Sequence, residues 1–155
     1  MRLERSIINI GFCLLLFLIG CSRPAAISYQ RTGEVRFVST EDKGTITVDS
    51  KGFASDISTA TYYAERNAFE NLLFKGIPGS NQVQPIIPDE NIAWQQHGAV
   101  LKKLLSEDYS KFVMSAETRY RSESEPVEID RTISVDINSL RKYLESEGVI
   151  RKFGF

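Results

Sequence analysis

The sequence predicts an α+β fold: an antiparallel sheet of about four strands with about three helices packed on one face, in the order ββααββα. Three observations carry that expectation. Two pairs of short runs alternate apolar with polar residues, most cleanly from Val127 to Ile137, where only Arg131 breaks the apolar side. Between the pairs lie two stretches whose apolar residues recur every three or four positions, the helical period. The last two alternating runs are joined by residues 122–126, polar and too few for a parallel crossover, so those runs pair antiparallel.

Taken in order, organisation begins near Gly33. Val35 and Phe37 alternate with Glu34 and Arg36, and Ile46 and Val48 alternate with Thr45 and Thr47. Asp42 and Gly44 between them supply turn chemistry, so a hairpin is expected. Ser50-Lys51-Gly52 is expected to end its second strand. Asp56 or Ser58 then caps a helix over 57–75, in which Ala60, Ala64, Ala68 and Leu72, widened by Ile57 and Phe69, form a narrow stripe that lets the helix approach its sheet closely. Gly76 stops it.

Residues 76–88 hold three prolines and two glycines without usable periodicity, a long loop. Asp89 caps a second helical region with Ile92, Ala93, Val100, Leu101, Leu104 and Leu105 as its apolar face and a break at Gly98. Phe112, Met114, Ala116, Thr118 and Tyr120 then mark a half-buried strand, and Val127, Ile129, Ile133, Val135 and Ile137 the buried side of the next. Asn138-Ser139 caps a last helix carrying Leu140 and Leu144, with Gly148 at its C-terminal cap.

The N-terminal segment reads as an address. Arg2 and Arg5 precede an apolar run from Ile7 to Ile19 that is too short to prefer spanning a bilayer, which takes about 20 apolar residues. The run closes on Leu18-Ile19-Gly20-Cys21, which resembles a bacterial lipobox. That resemblance implies cleavage before Cys21, a diacylglycerol thioether on its sulfur and usually an N-acyl chain, and two or more chains give stable membrane attachment. Ser22 after the lipid site points, by the same resemblance, to the outer membrane and a periplasm-facing domain. The expected organisation is a signal peptide at 1–20, a lipidated Cys21 and tether at 21–32, and a single domain at 33–155.

Composition removes several function classes. The chain has 19 Lys+Arg and 20 Asp+Glu, and removal of 1–20 takes Arg2, Arg5 and Glu4, leaving 17 against 19, which is no nucleic-acid footprint. Cys13 leaves with the signal and Cys21 is spent on lipid, so no thiol remains for a disulfide, a metal or catalysis. His97, the single histidine, has no partners at zinc spacing. Gly79-Ser80 lacks the Gly-Lys-Ser/Thr ending of a phosphate loop. Glu128, Asp130 and Asp136 fall at the spacing of a solvated strand face and lack the turn glycine of a calcium loop. No cofactor, metal or catalytic residue is expected.

Two segments are left as candidates for binding a protein partner: Ile77, Val83, Ile86 and Ile87 in the long loop, unless these fold back over the core, and Arg151, Lys152, Phe153 and Phe155 in the C-terminal segment. A ligand-binding reading would instead gather Trp94, Tyr62 or Tyr63 with the 77–88 loop into a pocket. A cell-wall-active enzyme would need Glu65, Glu70, Asp89 or His97 in one cleft.

The passage Ile46-Thr47-Val48 through Ser50-Lys51-Gly52-Phe53 into the Ala60, Ala64, Ala68 helix resembles small envelope lipoproteins and the N-terminal domain of the flagellar accessory protein FlgT. With Lys75-Gly76-Ile77-Pro78-Gly79-Ser80 and the ending Arg151-Lys152-Phe153-Gly154-Phe155, the layout also resembles uncharacterised envelope lipoproteins of Bacteroidetes type and, faintly, the lipoprotein subunit of a type VI secretion complex. These resemblances imply a non-catalytic domain that docks to larger envelope machinery.

Overall fold

The structure, a computed structural model, describes residues 29, 31–32, 34–40, 44–122 and 124–152. The signal segment, Cys21, the hairpin residue Asp42 and the aromatic residues Phe153 and Phe155 lie outside the described residues.

The fold is α+β in the order ββααββα: β1 (Val35–Ser39), β2 (Thr45–Ala54), α1 (Ile57–Phe74), α2 (Glu90–Ser106), β3 (Val113–Arg121), β4 (Val127–Asp136) and α3 (Ile137–Ser146), with a 3-10 turn at Asp108–Phe112 before β3. All neighbouring strands are antiparallel, and their order across the sheet is β1-β2-β4-β3. The two hairpins therefore join through β2 and β4, which pair without interruption from Thr45↔Asp136 to Ala54↔Val127.

That central pair carries the core. Ile46, Val48, Ile133 and Val135 are fully buried beneath Phe69, Leu72 and Leu73 of α1, and Leu101, Leu104, Leu140 and Leu144 close the layer from α2 and α3. A smaller apolar cluster lies under the first half of α1, where Ala60 and Ala64 meet Ala54, Val127 and Ile129. The alanine stripe works as the spacing suggests, because side chains this small bring the helix backbone close to the strand. Ser50 Oγ donates to the Ala64 carbonyl at 2.7 Å, and a β-carbon placed on Gly52 would stand 2.0 Å from the Ala60 carbonyl oxygen.

This close approach explains one correction. Gly52 does not end β2, which runs on to Ala54; glycine stands there because α1 crosses over it. Ile57 and Ile92, expected on buried faces, are exposed, since each lies in the first turn of its helix, beyond the edge of the layer below. The bend expected at Gly98 falls at His97 (φ −129°, ψ 24°), one residue earlier. The cap of α3 is Asp136, whose carboxylate accepts from the Ser139 amide at 2.9 Å, so the helix begins directly where β4 stops.

The largest departure is β3, expected to be half-buried. From Met114 to Arg121 every residue is exposed. The reason is its position: α1 lies over β2 and β4, while β3 is the strand beyond β4 at the sheet edge. The other face of the sheet is open and polar, laced by Thr47–Ser134 at 2.7 Å, Thr132–Asp49 at 2.6 Å and Lys51–Glu128 at 2.7 Å. Among the described residues no helix is long and apolar enough to cross a membrane.

Candidate functional site

Helix α1 ends at Gly76, which takes φ +79° and leaves no room for a β-carbon, the Val83 carbonyl oxygen lying 1.9 Å from where one would sit. The chain then closes a compact loop: the Ile77 amide donates to the Gln82 carbonyl at 2.7 Å, and Ser80 Oγ donates to the Ile77 carbonyl at 2.7 Å while accepting from the Gln82 amide at 2.9 Å. The far end is pinned as well. The amides of Ile86 and Ile87 donate to the carbonyls of Leu72 and Leu73, which α1 leaves unpaired at its C-terminus. A segment without periodicity is thereby fixed at both ends.

These bonds decide which loop residues face outward. Ile77, Ile86 and Ile87 are buried and pack in the main core, so as partner-contacting side chains they are corrected: the loop folds its apolar residues back over the layer they cover. Of the four candidate loop residues Val83 faces outward, 52% exposed. On the other side, α3 stops at Gly148 (φ +72°), and the amides of Val149 and Ile150 return to the Leu144 carbonyl at 2.9 and 3.3 Å. That turn brings the C-terminal segment alongside the proline loop.

Between the two runs a groove of about 490 Å³. Its walls are Pro85, Pro88, Val149 and Ile150, with Ile86 and Ile87 contributing what remains of their surface to the floor. Arg141 and Arg151 supply the only charges among the lining residues. Arg141 is oriented by the Gln82 side-chain carbonyl, which accepts from it at 3.0 Å, and the Gln82 amide nitrogen in turn donates to the Gln84 carbonyl. Lys152, beside the groove, is exposed. The arrangement can accept an apolar chain segment and pair with negative charge; it places no nucleophile beside a base.

No protein-family model, curated protein or solved structure matches the chain.

The residues of the two other readings are not gathered there. Trp94 donates to Glu90 at 3.4 Å and packs on Phe74, whereas Tyr62 and Tyr63 lie in an aromatic row with Tyr29 and Tyr109. Tyr62 donates to the Leu105 carbonyl at 3.0 Å. Glu65 binds Arg131 at 3.1 Å and accepts from Tyr109 at 2.8 Å, Asp89 caps α2, and His97 occupies the bend. Among the described residues no cluster of three or more His, Cys, Asp or Glu is arranged to hold a metal ion.

Sequence reasoning missed a second feature altogether. The end of the expected tether is strapped onto α1. The Tyr29 hydroxyl lies 2.8 Å from both Glu70 and Asn67, Arg31 Nε donates to Glu70 at 2.5 Å, and the Arg31 guanidinium fork meets Glu90 at 2.7 and 3.0 Å. Glu70 is 1% exposed and receives Arg66 at 2.9 Å on its other oxygen, so a buried carboxylate is held between two arginines. The hydrogen bond from Arg31 holds the Glu90 carboxyl below the usual carboxylate range, and burial together with the Glu70 contact pushes the Tyr29 hydroxyl well above its ordinary value. Asn67, Glu70 and Asn71 on an otherwise buried helix face were the available signal, since buried polar side chains require partners.

Proposed function

We propose that this chain is a membrane-anchored lipoprotein without catalytic activity, a structural or assembly component that holds a protein partner in the cell envelope. Lipid on Cys21 attaches it to the outer membrane, the domain faces the periplasm, and the partner inserts an apolar segment carrying Asp or Glu into the groove between the proline loop and the C-terminal segment. The observation that carries this reading is the groove itself: the two segments that sequence singles out for docking lie side by side, and their lining is apolar with Arg141 and Arg151 as its only charges. Such a lining favours an acidic, apolar guest and disfavours a basic one. The lipobox resemblance of Leu18-Ile19-Gly20-Cys21 supplies the anchor.

The test is site-specific photo-crosslinking in intact cells, with the photoreactive residue at Gln84, at Arg151, or at Lys102 as an exposed position outside the groove. The expected result is one envelope protein captured from both groove positions, absent from Lys102, and lost when Ile150→Asp is added. Equal capture from all three positions, or none, rules the groove out. In parallel, labelled palmitate should enter the wild type and not Cys21→Ala; incorporation into both sinks the anchor.

A further inference from the structure

From Met114 onward β3 is held by β4 along one side and, among the described residues, covered on neither face, and two of its exposed residues are large and apolar: Met114 at 65% and Tyr120 at 54%. A nine-residue edge strand of this kind presents a row of backbone donors and acceptors to any strand that can align with it. β1, at the opposite edge, is five residues long and interrupted between Phe37 and Ser39.

The register with β4 assigns the faces of β3. Val113, Ala116, Thr118 and Arg121 sit opposite Val135, Ile133, Arg131 and Ile129, on the helix side of the sheet. Ser115, Glu117 and Tyr120 sit opposite Ser134, Thr132 and Asp130, on the open side. Two register shifts interrupt the alternation, one between Val113 and Ser115 and one between Thr118 and Tyr120. At each shift the extra residue also reaches the open side: Met114 Sδ accepts from Thr45 Oγ1 at 3.6 Å, and Arg119 donates to Asp49 at 2.7 Å. The open side thus carries Met114-Ser115, Glu117 and Arg119-Tyr120, a pattern symmetric about Glu117.

We propose that β3 pairs antiparallel with β3 of a second copy about a two-fold axis through Glu117, joining two sheets into one continuous sheet with all helices on one side. In this register every facing pair shares a side. Ala116 meets Thr118 and Val113 meets Arg121 on the helix side, while Ser115 meets Arg119 and Met114 meets Tyr120 on the open side. The irregularity of each strand falls opposite that of the other copy, so the bulges that would spoil pairing with a regular strand match each other. Centring the pair on Thr118 instead sets Ala116 against Tyr120, helix side against open side, and a sheet does not tolerate that mismatch.

The apolar side chains favour this register. Met114 against Tyr120, twice over, covers both large apolar residues that the strand exposes with sulfur-aromatic contacts. The two Glu117 carboxylates face each other at the axis, a like-charge pair that works against the contact, and the diagonal Arg119 of the second copy beside each carboxylate offsets that repulsion. Glu117 makes no hydrogen bond or ion pair within the described chain, and Arg119 remains 57% exposed beyond its contact with Asp49. An interface of this type is isologous and closes as a dimer.

The register makes the test specific. In full-length lipidated protein under mild oxidation, Glu117→Cys should give a disulfide-linked dimer, because facing residues at a two-fold have α-carbons about 4.5 to 5.5 Å apart, within disulfide reach. Ser115→Cys should not, since its two copies stand four residues out of step. Sedimentation of Tyr120→Glu and Met114→Glu should show the dimer dissociation constant raised at least tenfold with the melting temperature of the dilute protein unchanged. A wild type that sediments as a monomer at micromolar concentration overturns the proposal. So does crosslinking by Ser115→Cys in preference to Glu117→Cys, or a dimer indifferent to both Glu variants. Ile150→Asp in the groove should leave the dimer intact, which keeps this outcome separate from that of partner docking.

Discussion

Asn67 illustrates how one buried polar side chain can hold three parts of a fold together. Its Nδ2 donates to the Lys51 carbonyl of β2 at 2.9 Å and to Thr32 Oγ1 at 3.1 Å, while its Oδ1 accepts from the Thr32 amide at 3.2 Å. Truncation leaves those groups in a site where water does not replace the lost partner, so Asn67→Ala should cost about 1–3 kcal/mol in denaturant unfolding and loosen residues 29–32 against proteolysis. Glycines make the complementary point, because the same substitution has opposite signs at two of them. Gly52→Ala drives a methyl into the backbone of α1 and should lower stability by about 1–3 kcal/mol. Gly98→Ala meets nothing nearer than Trp94 Cε3 at 3.8 Å and, within a helix, should gain up to about 1 kcal/mol. Thermal melts of the two variants side by side check the contrast.

At the scale of elements, what could be foreseen was what local periodicity encodes. The alternation of 127–137 and the alanine stripe of α1 each bury the side their spacing names, down to Arg131, which interrupts the apolar face and finds Glu65 on α1. The misreadings share a cause: burial depends on what lies above an element. β3 has the alternation of a half-buried strand, but the helix that would cover it sits over β2 and β4, a consequence of the non-local β2–β4 pairing. The start of α3 shows a different ambiguity, since Asp136 closes a strand pattern and caps a helix at once. Its carboxyl is held below the usual carboxylate range, first by the Ser139 hydroxyl at 2.6 Å and then by backbone amides. Asp136→Ala should therefore cost about 1 kcal/mol at neutral pH. A group whose folded value is depressed stabilises above its unfolded value, so that deficit should vanish as the pH falls through the folded value. Urea midpoints at neutral pH and near pH 2 measure both.

Across the whole molecule, a short-range reading of sequence identifies segments, whereas only the fold shows what they do to each other. The proline loop and the C-terminal segment are separated by α2, β3, β4 and α3, yet they border one groove because the loop is pinned to the end of α1 and Gly148 turns the chain back. The same holds for the strap: Tyr29 and Arg31 look like tether until α1 and α2 place Glu70 and Glu90 beside them. Under the proposed lipid anchoring at Cys21 this sets the tether's length, because residues bound to the domain no longer contribute reach between bilayer and core, and each extended residue spans at most about 3.3–3.6 Å. The strap is also a charged contact that acid weakens. Glu90 is depressed by Arg31, so the contact contributes fully above the ordinary carboxylate range, about pH 4, and is lost as the pH drops through the lowered value. The Tyr29 and Tyr63 rings, 4.8 Å apart, should show strong nuclear Overhauser contacts at pH 7 that fade toward pH 3 while those among core leucines persist. Glu90→Gln should weaken the contact at neutral pH and shrink its acid step. A ring contact unchanged across that range, with the core intact, would mean that the strap is held by its uncharged bonds through Asn67 alone.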